Sequence, residues 1–209
     1  MKENSLVLEI YADYLCPWSY IANLSINELI LEYKNKINVY WRSFLLKEKK
    51  SNISIKIKDR IQEYIIKNWA RAKLNEPRAL FNISNNIDFP DYSMPAHIAA
   101  KCVRIQGEEY FFNYHNLLYL SLFQHNLNIS KQDVLIELAK KLKLDIDKFI
   151  NDYNNSETIE IIKNEYNEAI NRNIKCIPTT IINNENIITG AISIKDYKEK
   201  IKTYLLIFQ

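Results

Sequence analysis

The hydrophobic period of this chain changes twice, and no other feature limits its fold as much. Leu6-Val-Leu-Glu-Ile-Tyr11 is a short, dense run of strand formers that reads as a largely buried strand. Ala12 to Leu15 read as a loop, and from Cys16 the period becomes helical. Ile21, Leu24, Leu29 and Tyr33 recur at near-helical spacing while Glu28 and Glu32 face away. Ile37 to Phe44 then alternates as a strand does. Strand, helix and strand in so short a span make a βαβ unit with parallel strands and a right-handed crossover. At the far end, Thr179 to Ile182 is β-branched throughout, Asn183 to Asn186 form a turn, and Ile187 to Thr189 a second short strand. Ser193-Ile-Lys-Asp196 has a capping-box pattern and opens a last helix. The expected fold is α/β. The βαβ and ββα ends (residues 1–52 and 174–209) share one sheet, and residues 53–173 form an inserted helical domain.

The insertion reads as helices throughout. Ile57, Ile61, Ile65 and Trp69 mark one face of a helix over Ser54 to Leu74, and Glu76 to Tyr92 read as a loop. Ser93 is the expected N-cap of a helix with Pro95 in its first turn, running to Ile105 and ended by Gly107. Glu108 to His125 follows, its aromatics Tyr110, Phe111, Phe112, Tyr114 and Tyr119 suited to core packing. Ser130 to Asp133 resembles a capping box opening a helix to Leu142. Asp145 and Ser156 are expected to cap two more, the second ending near Asn173.

Composition narrows the function classes. A net charge of +3 with scattered Lys and Arg gives no stripe for a nucleic acid. Three cysteines in 209 residues are not a disulfide framework. No run approaches the ~18 apolar residues of a membrane span, and Met1 to Leu8 lack the features of a signal peptide. The expected location is a reducing cytoplasm.

The chemistry concentrates at Asp13-Tyr-Leu-Cys16-Pro-Trp-Ser19, between the first strand and its helix. A cysteine at a helix N-terminus faces unsatisfied backbone N–H groups, which stabilise a thiolate and are expected to lower its pKa. Pro17 suits the first turn, and Ser19, one turn in, is placed to hydrogen-bond the sulfur. Asp13 either raises the thiol pKa by its charge or hydrogen-bonds its own turn. The second signal is Cys176-Ile177-Pro178-Thr179, directly before the third strand.

These residues together resemble the DsbA-like thioredoxin-fold family, and within it the FrnE-type oxidoreductases. The segments that carry the resemblance are Tyr11 to Tyr20, Trp41 to Leu45, Met94-Pro-Ala-His97, Ile177 to Thr179 and Gly190-Ala191. The resemblance implies a thiol–disulfide oxidoreductase with Cys16 as attacking sulfur and Pro178 as a cis-proline facing it. It implies that the Ile177 backbone pairs with an extended peptide or with glutathione, and that Trp18 offers an apolar contact. Pro17, Thr179 and His97 fall at positions around the substrate. No bound cofactor or metal is implied, although glutathione enters as a co-substrate.

The chain departs from the family at one point. The redox pair of the family is Cys-x-x-Cys, and here Ser19 takes the second place. Cys16 therefore lacks its usual internal disulfide, which leaves single-thiol exchange or isomerase-type chemistry. Cys176 is read as a buried apolar cysteine in preference to an unusual resolving thiol, and Cys102 as core. His97 reads as a partly buried histidine in preference to a groove residue. Two other functions remain open. One is a glutathione-dependent isomerase or transferase similar to 2-hydroxychromene-2-carboxylate isomerase. The other is a non-catalytic peptide-binding module, which an unactivated Cys16 would favour. Substrate and oligomeric state are not legible.

Overall fold

The structure is a computed structural model that describes residues 5–50, 55–84 and 88–207, without the side chains of 55–59. Ser54, read as a helix start, and the Ile57 side chain lie outside the described residues. Among those described, four strands form one sheet: β1 (Leu6–Ala12), β2 (Ile37–Ser43), β3 (Thr179–Ile182) and β4 (Asn186–Thr189). Their order is β2-β1-β3-β4, so the two ends of the chain meet at β1. β1 runs parallel to β2, with Leu6 opposite Ile37 and Ala12 opposite Ser43. It runs antiparallel to β3, with Tyr11 opposite Thr179, and β3 and β4 form the expected hairpin.

Alternation along β1 explains its central place. Leu6, Leu8 and Ile10 enter one apolar cluster with Ile26 and Leu29 of α1 (Pro17–Tyr33) and Tyr197 and Ile201 of α8 (Ile194–Ile207). Tyr11 points the other way, into a cluster with Phe44, Ile181 and Ala169 of α7 (Ser156–Asn171). A strand buried on both faces reads as a near-continuous apolar run, as this one does. Its exception, Glu9, lies on the Tyr11 face. There it accepts hydrogen bonds from Arg42 (2.7 Å) and pairs with Arg172 (3.1 Å).

The remaining helices are α2 (Ile55–Asn75), α3 (Met94–Gln106), α4 (Glu108–Phe123), α5 (Gln132–Lys141) and α6 (Ile146–Tyr153). They share the core of the sheet: Leu8 and Ile10 belong to the same cluster as Trp69 of α2 and Leu122 of α4. Tyr20 of α1 stacks on Phe123 at 5.2 Å, and Trp69 meets Phe123 edge-on at 4.9 Å. Arg78 bridges Glu76 and Glu28, fastening the loop after α2 to α1. Gly107 sits between α3 and α4 with φ 150, a conformation that favours glycine.

Two capping expectations are corrected and one holds in position. Ser93 is the N-cap residue of α3, as expected, but its hydroxyl accepts from the Lys47 N–H (3.1 Å) and makes no cap bond within the helix. Lys131, not Ser130, is the N-cap of α5. The Ser130 hydroxyl donates instead to Asn128 Oδ1 at 2.6 Å, a local turn bond that competes with the cap. Asn155, one residue before Ser156, caps α7 by accepting from Glu157 N–H. Asp145 caps α6 and Ser193 closes on Asp196 as the patterns imply.

Candidate active site

The loop from β1 into α1 is built around Asp13. Its fully buried carboxylate accepts from Leu15 N–H (2.6 Å) through Oδ1 and from Leu46 N–H (2.8 Å) through Oδ2. One side chain thus fixes its own turn and joins it to the loop after β2. Cys16 donates its N–H to the Asp13 carbonyl (3.1 Å) and takes the N-cap position of α1, with extended backbone. Pro17 follows as the first helical residue. Its fixed φ suits that position, and the N–H it lacks would have had no helical partner.

The Cys16 sulfur lies 3.7 Å from the carbonyl oxygen of Ile177, donating toward it. The Ile177–Pro178 peptide is cis. Thr179 starts β3, and its hydroxyl donates back to the Cys176 carbonyl at 2.7 Å, tying down the segment. Ser19 is fully buried. Its hydroxyl accepts from the Asp13 N–H at 3.5 Å, and that hydroxyl with the Ser19 and Trp18 N–H groups favours a charged sulfur.

Electrostatics at the sulfur correct one expectation. Cys16 is only 5% exposed, and burial pushes its thiol up to about 11. The Ser19 and Trp18 hydrogen bonds pull the other way, as a helix N-terminus should, and the Asp13 carboxylate raises it further. Removing a charge from water outweighs a few donors when the group is nearly enclosed. Cys16 therefore rests as a thiol at neutral pH.

A cleft of about 460 Å³ opens beside the sulfur. Its lining includes Cys16, Pro17 and Trp18 at the start of α1, Ile65 and Asn68 of α2, and Cys176 and Ile177 before β3. Trp18 Nε1 donates to Asn68 Oδ1 at 3.3 Å, linking α1 to α2. Lys47 and Lys175 also line the cleft and give it positive charge.

The structure overturns the preferred reading of Cys176 as buried and the placement of His97 around the substrate that the resemblance implies. Cys176 is exposed rather than buried: Ile174 and Ile177 on either side of it turn into the core while its own side chain faces the cleft. His97 is 4% exposed and does not line the cleft. Its ring faces inward, with Nε2 3.7 Å from Asp13 Oδ2 and its centroid 5.0 Å from that of Tyr14. Beside it is a separate internal cavity of about 20 Å³ lined by Tyr14, Lys101, His115 and Tyr119. Cys102 is fully buried, as expected, with its thiol raised to about 12 by burial.

Sequence reasoning missed two buried polar pairs. Tyr14 hydroxyl bonds His115 Nδ1 at 2.8 Å, and burial holds the His115 pKa well down. Lys101 and Glu165 pair at 2.6 Å, and Glu165 also accepts from Ser43 N–H, joining α3 and α7 to the end of β2. A charged residue on the apolar face of each helix was the available signal. Only the assembled fold shows that the two faces meet.

A curated protein from Bacillus subtilis (strain 168), YwbO, uncharacterised, is 26% identical over 200 residues, covering 92% of this chain and 94% of that one. Three solved structures share the fold at lower identity. The first, from Nitrosomonas europaea, carries a provisional assignment as a protein disulfide isomerase. It superposes with a TM-score of 0.84 at 16% identity over 97% of this chain and 98% of that one. The cytosolic disulfide reductase DsbM from Pseudomonas aeruginosa gives 0.72 at 12% identity, covering 96% of each. A 2-hydroxychromene-2-carboxylate isomerase gives 0.67 at 14%, covering 95% of each. The sequence pattern of the DSBA-like thioredoxin domain spans residues 7–202, and with the sheet order and helical insertion described above the chain belongs to that family.

Proposed function

We propose that the protein catalyses thiol–disulfide exchange with Cys16 as the attacking sulfur. The observation that carries this reading is the Cys16 thiol at the start of α1, facing the Ile177 carbonyl and the cis Pro178 at an open cleft. The Cys16 thiolate attacks one sulfur of a substrate disulfide. The other substrate sulfur leaves as a thiolate and takes up a proton, and a mixed disulfide remains on Cys16. Ser19 cannot resolve that intermediate, because a hydroxyl forms no disulfide. A second thiol must take part before the cycle closes, and among small thiols in solution glutathione suits the cleft. Its carboxylates match Lys47 and Lys175, and its extended backbone suits the strand-like edge at Ile177. The DsbM structure with GSH, a fold relative, supports this choice. Free thiols at all three cysteines suit a reducing compartment, and no helix among the described residues is long and apolar enough to cross a membrane. Met94-Pro-Ala-His97 favours the FrnE-type branch, with His97 holding the Asp13 loop from behind.

A peptide carrying a glutathione mixed disulfide tests the reading. Wild type is expected to accelerate release of glutathione from it in the presence of free glutathione, and Cys16→Ser to return the rate to background. Unchanged activity in Cys16→Ser would remove Cys16 from the chemistry.

A second reading draws on the raised Cys16 pKa. A site that holds its own thiol protonated is compatible with activating bound glutathione instead, as a glutathione-dependent isomerase does. Retention of a glutathione-dependent isomerisation by Cys16→Ser would favour it. Peptide binding indifferent to Cys16→Ser, with neither activity, would favour a non-catalytic module.

A further inference from the structure

Cys176 is the exposed cysteine of the chain, and it lines the same cleft as Cys16. Its neighbour along the chain, Ile177, supplies the carbonyl that the Cys16 sulfur touches at 3.7 Å. Successive Cα atoms are about 3.8 Å apart across a trans peptide, so the Cys176 Cα is the direct neighbour of the Ile177 Cα whose carbonyl makes that contact. Disulfides span Cα separations of about 4.4–6.8 Å. A bridge between Cys16 and Cys176 requires their Cα atoms to come within that range, and Cys176, exposed at the cleft and ahead of the first β3 residue Thr179, is the partner placed to move without unpairing the sheet. The third cysteine offers no alternative, since Cys102 is enclosed in the core of α3. On α1 itself the place of a partner is taken by Ser19.

We propose that Cys176 is the resolving thiol of this enzyme, supplying from the cis-proline segment the partner that Ser19 cannot be on the helix. The inference rests on the exchange chemistry of Cys16 and extends it to a two-electron cycle. Cys16 first takes one half of a substrate disulfide and releases the other half as a thiol. The Cys176 thiolate then attacks the Cys16 sulfur of the mixed disulfide. The Cys16–Cys176 bond forms, the Cys16–substrate bond breaks, and the second half leaves as a thiolate that picks up a proton. The substrate disulfide has gained two electrons and the protein pair has lost two. A low-molecular-weight thiol, with glutathione as the probe, restores the pair: two molecules give up one electron each and leave as their disulfide.

The location of Cys176 has a consequence for substrates. A partner on the helix resolves beneath the sulfur, whereas Cys176 sits at the cleft surface, where a bound substrate also lies. A compact disulfide such as oxidised glutathione leaves Cys176 room to attack. A long peptide laid across the Ile177 edge covers it, and its mixed disulfide is expected to live longer.

The test is intact mass and disulfide mapping of the full chain after exposure to oxidised glutathione, with Cys176→Ser and Cys176→Ala alongside wild type. Wild type is expected to lose two hydrogens, retain no glutathione and yield a Cys16–Cys176 linked peptide. Both variants are expected to keep one glutathione on Cys16. A wild type that keeps glutathione on Cys16 while Cys176 remains a free, alkylatable thiol would overturn the resolving role and leave Cys16 exchange standing. Failure of Cys16 to react in wild type and in both variants would sink the exchange reading itself. Cys176 is solvent-exposed, so its replacement leaves the core untouched, and matching thermal unfolding of the three proteins checks this.

Discussion

The Cys16 sulfur sits under two opposed influences. Donors at the start of α1 favour the thiolate, while enclosure by Pro17, Trp18 and the Ile177 segment favours the thiol, and enclosure prevails. With a pKa near 11, roughly one thiol in ten thousand is ionised at pH 7. Alkylation of Cys16 by iodoacetamide, followed by peptide mapping, is therefore expected to accelerate with each rise in pH up to about 11. A plateau near neutral pH would contradict the raised value. Ser19→Ala removes one hydrogen bond to the charged form, and such bonds are worth about 1.5–3 kcal/mol. The variant is expected to alkylate at least about tenfold more slowly at a fixed pH below the pKa. Ser19 is legible in the sequence as a neighbour of the sulfur, one helical turn on. Its weight against burial was not, because burial depends on segments far away in the chain.

At the scale of elements, α2 lines the cleft through a few side chains. Trp69 anchors it against Phe81 and Phe123, and Asn68 accepts from Trp18 across the opening. Trp69→Ala removes a fully buried indole and is expected to cost about 3–5 kcal/mol in denaturant unfolding. It should also speed Cys16 alkylation, since a loosened α2 uncovers the sulfur. Slower or unchanged alkylation in a destabilised Trp69→Ala would argue against α2 as the cover. The helix itself was readable from the spacing of Ile61, Ile65 and Trp69. Its partner was not, for an apolar stripe records that a face is buried and not against what. The misplaced caps at Ser130 and Ser156 have a related cause. Asn128 draws the Ser130 hydroxyl into a local turn, Asn155 reaches the Glu157 N–H, and only the final loop path decides these competing local bonds.

Across the whole molecule, charges buried between elements join the helical insertion to the sheet. Burial works against the Glu165 carboxylate, but the Lys101 ammonium and the Ser43 N–H outweigh it and hold its pKa below the ordinary value. A carboxyl lowered on folding adds stability above its unfolded pKa, and that stability is lost as pH falls through the folded one. Wild type is therefore expected to lose stability on acidification below about 4.5. Lys101→Met removes the nearer of the two cations at Glu165 and leaves Arg42 at 3.6 Å, at a cost of up to about 3–5 kcal/mol near neutral pH. Its loss of stability on acidification should be shallower, because a carboxyl with a weaker partner is held down less and loses less on protonation. Denaturant unfolding of both proteins from neutral to acid pH checks this, and parallel profiles would refute the assignment of Lys101 as the partner.

The sequence by itself determined the elements, their order and the place of Cys16 between the first strand and its helix. Those are carried by local information: period-two and helical spacing, a cysteine between a strand and a helix, and an Ile-Pro-Thr before a β-branched run. Tertiary structure alone decided which groups are enclosed and which meet. It raised the Cys16 pKa, turned His97 toward the interior, brought Lys101 to Glu165 and left Cys176 open at the cleft. Desolvation and side-chain proximity depend on surfaces contributed by residues distant in the chain, and no local pattern specifies those surfaces.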